Sequence, residues 1–511
     1  MSNFRDAKAL NTEWFDTEIG TGFSNFHFVD DKFSSSPVLR RIFSLARKLD
    51  FKSVVVEEIV EADCELLLEE NESLALREPK FTSSKVFRIL FFTGYKDKDP
   101  EDLLGYAIFK IDSYKGEATS RSHVYESVMK PDRSITTNNF IHCARNYQIS
   151  TSLGEYTVAG VLYAQQNDLT YVCAHVALRS ALASVLPDAD ISYSKINELA
   201  GVDHTANKVG GSGNGLDPDQ MEAVIKGCGI PYTKIVHEPK QAGLSLPGDF
   251  QRDLYGIIES GQPALLGFEL DDFGRHVIPV IGHTFNEDTW VAESGRHYFS
   301  DDLKYFSSEN WLSAYVVHDD NFGPYYCLPR HYLKKDNFRI ILGFQRHHCE
   351  SQAVDIEAVA LTYAKSIAPI PSPNNTGWRK RFNAFALADL LVLRTILLRK
   401  EEYIDHLSKS ECWEGEKTSQ EVLEQLNNDL PEWLWMVELS APELFSATRR
   451  KFGEVILRAD ISIPKPLDFS LLLAIRLPGE IIQIDGTKIK YLDTETSSHT
   501  QLFHLPSLCC D

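Results

Sequence analysis

The chain has 511 residues, 43% hydrophobic, 24% charged and 11% aromatic, with a formal net charge of −21. That length exceeds one ordinary core, so roughly two to four domains are expected. The charge opposes binding to nucleic-acid phosphates and to anionic membranes, and no run of about 18 apolar residues is present to form a transmembrane helix.

The opening stretch, MSNFRDAKALNTEWFD, has no apolar core and no small-residue cleavage site, so no secretory signal is expected. The nine cysteines are scattered without a CxxC pair, which predicts a reducing, cytoplasmic setting rather than a disulfide framework. Residues 1–156 read as an N-terminal mixed α/β domain. SPVLRRIFSLARKL has helical spacing, and VFRILFFTGY and LLGYAIFKID are apolar runs of strand length. The run from Gly105, GYAIFK, resembles a strand of the GNAT acetyltransferases, but no glycine-rich acyl-CoA loop accompanies it.

Residues 157–335 change character, to a helix-rich half followed by a strand-rich half. In QQNDLTYVCAHVALRSALASVLP, Val176, Ala177, Ser180, Ala181, Ser184 and Val185 form the stripe of a core-facing helix that Pro187 stops. Cys173 falls in its first turn, where free N–H groups and the helix dipole favour a thiolate and can hold an oxyanion. Gln166, seven residues earlier, is a candidate second oxyanion donor. VGGSGNGLDPDQ lacks the feeding strand and the Lys-Ser/Thr of a phosphate loop. Its end instead predicts a helix capped by Asp217, with Pro218 at the first position and Gln220 closing the box. GQPALLGFELDDFGRHVIPVIGH predicts two strands, 263–269 and 276–283, with His276 opening the second as a candidate base. SENWLSAYVVHDDNFGPYY predicts a strand ending in Asp319, Asp320 and Asn321. An acid there orients the base by accepting its Nδ1–H; Asp320 is preferred, with Asp319 and Glu293 as alternatives.

Residues 336–511 read as a C-terminal α+β domain. NFRIILGF opens it and a break at APIPSPNNTGW follows. GWRKRFNAFALADLLVLRTILLRKEEY is helical in pattern, with a solvated basic face. SAPELFSATRRKFGEVIL predicts a helix capped by Ser440 with Glu443 in the box, and DFSLLLAIRL and EIIQIDGTKIKYL are strands. The ligand types in RHHCE and in Cys173-Ala-His175 point apart on a strand and on a helix respectively, so no metal and no cofactor is expected.

In chain order, QQNDLTYVC, GLDPDQMEAVIKGCGIPY, GQPALLGF, HVIPVIGH and WLSAYVVHDDN resemble the papain-like cysteine peptidase superfamily. They look most like its bacterial branch, which cuts double-glycine leaders from bacteriocins. The resemblance runs from Thr157 to about Leu333, roughly a third of the chain. It implies an α+β, multidomain protein whose central domain has a helical half and an antiparallel sheet, flanked by mixed α/β modules. It also implies Cys173 as nucleophile, His276 as base, Asp320 as orienter and Gln166 at the oxyanion. Two departures stand out. Asn167 occupies the family's usual glutamine position, six residues before the cysteine. The usual gap from histidine to acid fits Glu293 better than Asp320, so with Asp320 the stretch ESGRHYFSDDLKYFSS is an insertion. The function expected is a cytoplasmic thiol hydrolase acting through a thioester on a peptide or protein substrate. Deamidation and acyl transfer share that intermediate, and a non-catalytic scaffold is the rival. The sequence leaves the oligomeric state open.

Overall fold

The computed structural model describes residues 5–17, 24–33, 35–60, 63–95, 103–117, 120–131, 139–167, 169–202, 215–236, 249–270, 274–285, 298–300, 303–333, 338–372, 376–411, 415–485, 488–493 and 498–503. Together they make a multidomain α+β protein built on three large sheets and a two-stranded ribbon. No helix among these residues is long and apolar enough to cross a membrane.

The N-terminal region contains β1 (Ala9–Asp16), α1 (Asn25–Phe33), α2 (Pro37–Lys48), β2 (Ser53–Ile59), α3 (Glu65–Arg77), β3 (Phe81–Phe92), β4 (Leu103–Tyr114), β5 (Arg121–Met129), β6 (Asn139–Phe140), β7 (Arg145–Thr151) and β8 (Gly154–Tyr163). The first sheet runs β1-β2-β3-β4-β5-β8-β7. Ser36 caps α2, its hydroxyl accepting from the Leu39 N–H, and Pro37 fixes the first helical φ. The helix packs Leu39, Ile42, Phe43 and Ala46 against Val54, Ile89 and Phe91 on one face of the sheet.

The second region contains α4 (Cys173–Ala183), α5 (Tyr193–Ala200), α6 (Pro218–Gly227), β9 (Tyr232–Val236), α7 (Asp249–Glu259), β10 (Ala264–Leu270), β11 (Gly274–Phe285), β12 (Tyr298–Ser300), β13 (Leu303–Ser307), β14 (Leu312–Asp319), β15 (Gly323–Pro329) and β16 (Phe338–Phe344). The second sheet runs β15-β14-β11-β10-β16-β9, with β6 added to β11. Helix α4 is buried from Ala174 to Ala183 because it lies between two sheets. Its core takes in Leu90, Ile108 and Tyr125 of the first sheet and Leu265, Val277 and Ile340 of the second. The start of α6 matches its sequence signal: Asp217 Oδ1 accepts from the Gln220 N–H at 2.8 Å, and Gln220 Oε1 accepts from the Asp217 N–H at 2.9 Å.

The third region adds α8 (Ala353–Ile367), α9 (Gly377–Leu387), β17 (Val392–Arg399), α10 (Lys400–Lys409), α11 (Gln420–Asp429), β18 (Trp433–Ser440), α12 (Pro442–Thr448), β19 (Arg450–Lys451), β20 (Gly453–Arg458), β21 (Leu472–Leu477), β22 (Glu480–Asp485), β23 (Lys488–Asp493) and β24 (Thr500–Gln501). Its sheet runs β12-β13-β17-β18-β20-β21-β22-β23, and β19 pairs with β24.

Several elements differ from the sequence reading. The boundaries at 156/157 and 335/336 cut through shared structure: β8 lies wholly in the first sheet, and β16 sits inside the second, between β10 and β9. The segment before β14 sends β13 out to pair in parallel with β17 of the third sheet. Val392–Arg399, expected to be helical, is a strand flanked by β13 and β18 and buried through Leu398. A short apolar run buried on both faces has no period that separates strand from helix, and Asp389, at φ 63°, ends α9 just before it. Ser440 does not cap α12. It closes β18, and its hydroxyl donates to the Arg450 carbonyl at 2.6 Å.

Candidate active site

Helix α4 begins at Cys173, the residue that follows a tightly organised loop. Asn167 builds that loop. Its side-chain oxygen accepts from the N–H groups of Leu169 (2.9 Å), Thr170 (2.9 Å) and Tyr171 (3.3 Å). Its amide donates to Glu70 Oε1 at 3.0 Å and to Thr170 Oγ1 at 2.8 Å. So committed, Asn167 has no donor left for an oxyanion. Gln165 is anchored to the first sheet by its carbonyl, since its Oε1 accepts from the Val124 N–H at 3.0 Å. Gln166 is half-buried between them, and among the described residues nothing holds its amide. His175 is structural. It is fully buried, its Nδ1 accepts from the Val172 N–H at 3.5 Å, and its Nε2–H donates to Asn197 Oδ1 at 2.9 Å, which pins the helix start.

His276 is the third residue of β11, opposite Phe268 on β10. The register that pairs Val280 with Val317 carries the end of β14 alongside it. Nε2 of His276 lies 3.5 Å from Asp319 Oδ2 and 3.4 Å from Asp320 Oδ1. The Cys173 side chain lies near enough to the ring to act on its protonation. Burial alone would lower the imidazole's pKa; contact with Asp319 and Cys173 and the charge of Asp320 outweigh it and push the value up to about 10. Burial of Asp319 is likewise outweighed, by His276 and by the N–H groups of Asn321 (2.8 Å) and Phe322 (3.2 Å), and its pKa falls below the usual value.

Cys173, His276, Asp319 and Asp320 therefore converge, from three elements and one turn. The ring presents Nε2, not the expected Nδ1, to the acids. Asp319 and Asp320 share the imidazole, so Asp320 is not singled out. Glu293 lies outside the described residues.

Two clamps from the first sheet hold this site, and no sequence signal marks either. Tyr163, at the end of β8, donates its hydroxyl to the carbonyls of Asp319 (3.3 Å) and Asp320 (3.4 Å). Next to it, His318 donates Nδ1–H to the Leu162 carbonyl at 3.1 Å, and burial pushes its pKa down to about 3, so this ring stays neutral. Tyr163→Phe is expected to cost about 1 kcal/mol of stability and to slow reactions of Cys173 severalfold with no change in substrate KM. Steady-state kinetics on the folded variant checks the split.

The second clamp is on the cysteine side. Tyr171 donates to Glu70 Oε1 at 3.0 Å and meets His123 Nε2 at 2.8 Å. Lys110 Nζ lies 3.3 Å from Glu70 Oε2 and 3.0 Å from Asp112. Despite burial, Lys110, His123 and Tyr171 hold the Glu70 pKa at about 2. A lowered carboxylate pKa stabilises the fold above the ordinary value of 4.5, and that contribution fades as pH falls towards 2. Glu70→Gln is expected to cost about 3 kcal/mol at neutral pH and to remove this part of the acid sensitivity. Thermal unfolding between pH 2 and 6 measures both.

No protein-family model matches the sequence, and no curated protein matches it. The functional reading rests on these side chains.

Proposed function

We propose that the chain is a papain-like thiol enzyme that works in the cytoplasm and attacks a peptide or amide bond of a peptide or protein substrate. One observation carries this reading: a cysteine at the first position of a helix and a histidine on a neighbouring sheet lie close to each other, and the histidine's Nε2 faces carboxylates. The order of helix-borne sulfur, strand-borne imidazole and acid beyond the adjacent strand is the one the family resemblance implies.

In this reading His276 takes the Cys173 proton and the thiolate attacks the acyl carbon. The N–H groups of the helix start and the Gln166 amide hold the oxyanion. The C–N bond breaks as the imidazolium gives its proton to the leaving amine. Water, deprotonated by the same ring, then splits the thioester. Asp319 and Asp320 keep the imidazole in place throughout.

Incubation with a lysate-derived peptide library, followed by labelling of new termini, tests the proposal. Wild-type protein is expected to generate termini that Cys173→Ser does not. Identical termini from both proteins, with Cys173 alkylated no faster than the exposed Cys327, would sink it.

A further inference from the structure

One carboxylate suffices to orient an imidazole. Here two converge on His276 Nε2, at 3.5 and 3.4 Å, and both aspartates are buried. One donor atom from each of the three side chains fits within 4.8 Å of the others. The two nitrogen–oxygen separations, 3.5 and 3.4 Å, exceed the roughly 2.7–2.9 Å of a charge-assisted hydrogen bond, and the buried Nε2 makes no directed hydrogen bond. They match another geometry. Ligands placed about 2.0–2.1 Å from a tetrahedral zinc ion lie about 3.3–3.4 Å from one another.

Charge points the same way. A single imidazolium carries one charge against two buried carboxylates; the Asn321 and Phe322 N–H groups on Asp319 and the Asn321 amide on Asp320 Oδ1 (3.3 Å) are neutral donors that solvate the carboxylates without cancelling their charge. A divalent cation bound to two carboxylates and a neutral imidazole closes the balance to zero. Consecutive residues of a strand point to opposite faces, but Asp319 is the last residue of β14 and Asp320 already lies in the turn, so their carboxylates converge. A spacing rule that looks for ligands two to four residues apart does not find this set, because His276 comes from a different strand.

We propose that His276 Nε2, Asp319 Oδ2 and Asp320 Oδ1 form a site for a divalent cation of the zinc class, with one coordination position left to water. Binding replaces the imidazole's Nε2 proton, which leaves to solvent, and leaves the ring's one remaining proton on Nδ1. A ring so held accepts no proton from the thiol. The cation therefore silences Cys173 reversibly. The binding site stands on geometry and charge, whereas the silencing rests on Cys173 being the nucleophile.

The experiment uses full-length protein stripped with a chelator, then titrated with Co²⁺ and, in competition, Zn²⁺. The expected result is one cobalt ion per chain with the intense visible bands of a four-coordinate site, displaced by zinc. Asp320→Asn and His276→Ala should each weaken binding by about 10-fold or more, while Cys173→Ser binds unchanged. No cobalt bands, unaltered affinity in the Asp320→Asn and His276→Ala variants, or loss of binding in Cys173→Ser alone would each overturn the site. Alkylation of Cys173 is measured in parallel, with and without zinc. A slow rate in metal-free protein counts against the thiol enzyme while leaving the metal site to the cobalt result. A fast rate that zinc fails to slow overturns the silencing.

Discussion

Replacing Cys173 with alanine is expected to abolish Cys173-dependent chemistry, and His276→Ala to slow it by about 10⁴-fold or more. The size follows from the roles. Without the sulfur no thioester forms, and without the imidazole neither the thiol nor the leaving amine exchanges its proton in place. Neither change should unfold the protein. The helix start is held by His175 with Asn197 and by the Asn167 loop rather than by Cys173, so the expected stability change stays within about 1 kcal/mol. The acids should behave differently. Because Asp319 and Asp320 both face Nε2, each single Asn variant leaves one carboxylate in place, and the double variant should lose more than the two singles combined. The second-order rate of alkylation by a neutral haloacetamide, followed at Cys173 by mass spectrometry, measures this without a known substrate. Equal rates in wild type and His276→Ala would remove the partnership on which the mechanism depends.

Much of this site was legible because its parts are local. Cys173 sits between turn residues and an apolar stripe at helical spacing, and His276 follows a turn between two apolar runs; both signals lie within about fifteen residues of sequence. The long-range parts left no such trace. Tyr163 meets the Asp319–Asp320 turn across 156 and 157 positions, and Glu70 meets Tyr171 across 101. A tyrosine at the end of a strand and a glutamate in a helix look like any others. The domain edges misled for a related reason. Composition shifts near residues 157 and 336, yet β8 and β16 are paired across those edges, because hydrogen-bonded neighbours in a sheet need not be neighbours in sequence. The run from Val392 to Leu398 misled because burial on both faces erases the alternation that marks a strand.

The same long-range logic governs how the second and third sheets are joined, and Arg394→Met is expected to cost about 3–5 kcal/mol there. Arg394 lies on β17. Its Nε donates to Glu259 at the end of α7 at 2.7 Å, and its Nη1 donates to Glu438 on β18 at 2.9 Å and to the Phe503 carbonyl at 2.7 Å. Glu259 also accepts from His283 on β11, so one buried carboxylate links the two sheets. The chain continues inward: Glu438 pairs with Lys451 at 2.8 Å, Lys451 with Glu454 at 3.2 Å, and Glu454 with Arg476 at 2.9 Å. Three carboxylates and three cations are thus buried in balance. Removing Arg394 leaves Glu259 with His283 and Glu438 with Lys451, and the cost comes from the resulting excess of buried negative charge more than from the lost attraction. Adding Glu259→Gln to Arg394→Met should therefore recover part of the stability, where independent sites would only lose more. Against burial, Arg394 and His283 hold Glu259, and Arg476 and Lys451 hold Glu454, well below the usual carboxylate range. Their contribution is accordingly complete above pH 4.5, the ordinary glutamate value, and is lost as pH falls below it. Urea unfolding at pH 7 and pH 4 reads both effects. Wild type should lose stability between the two, and Arg394→Met should lose less. An Arg394→Met midpoint equal to wild type at pH 7 would mean that apolar packing alone joins the sheets.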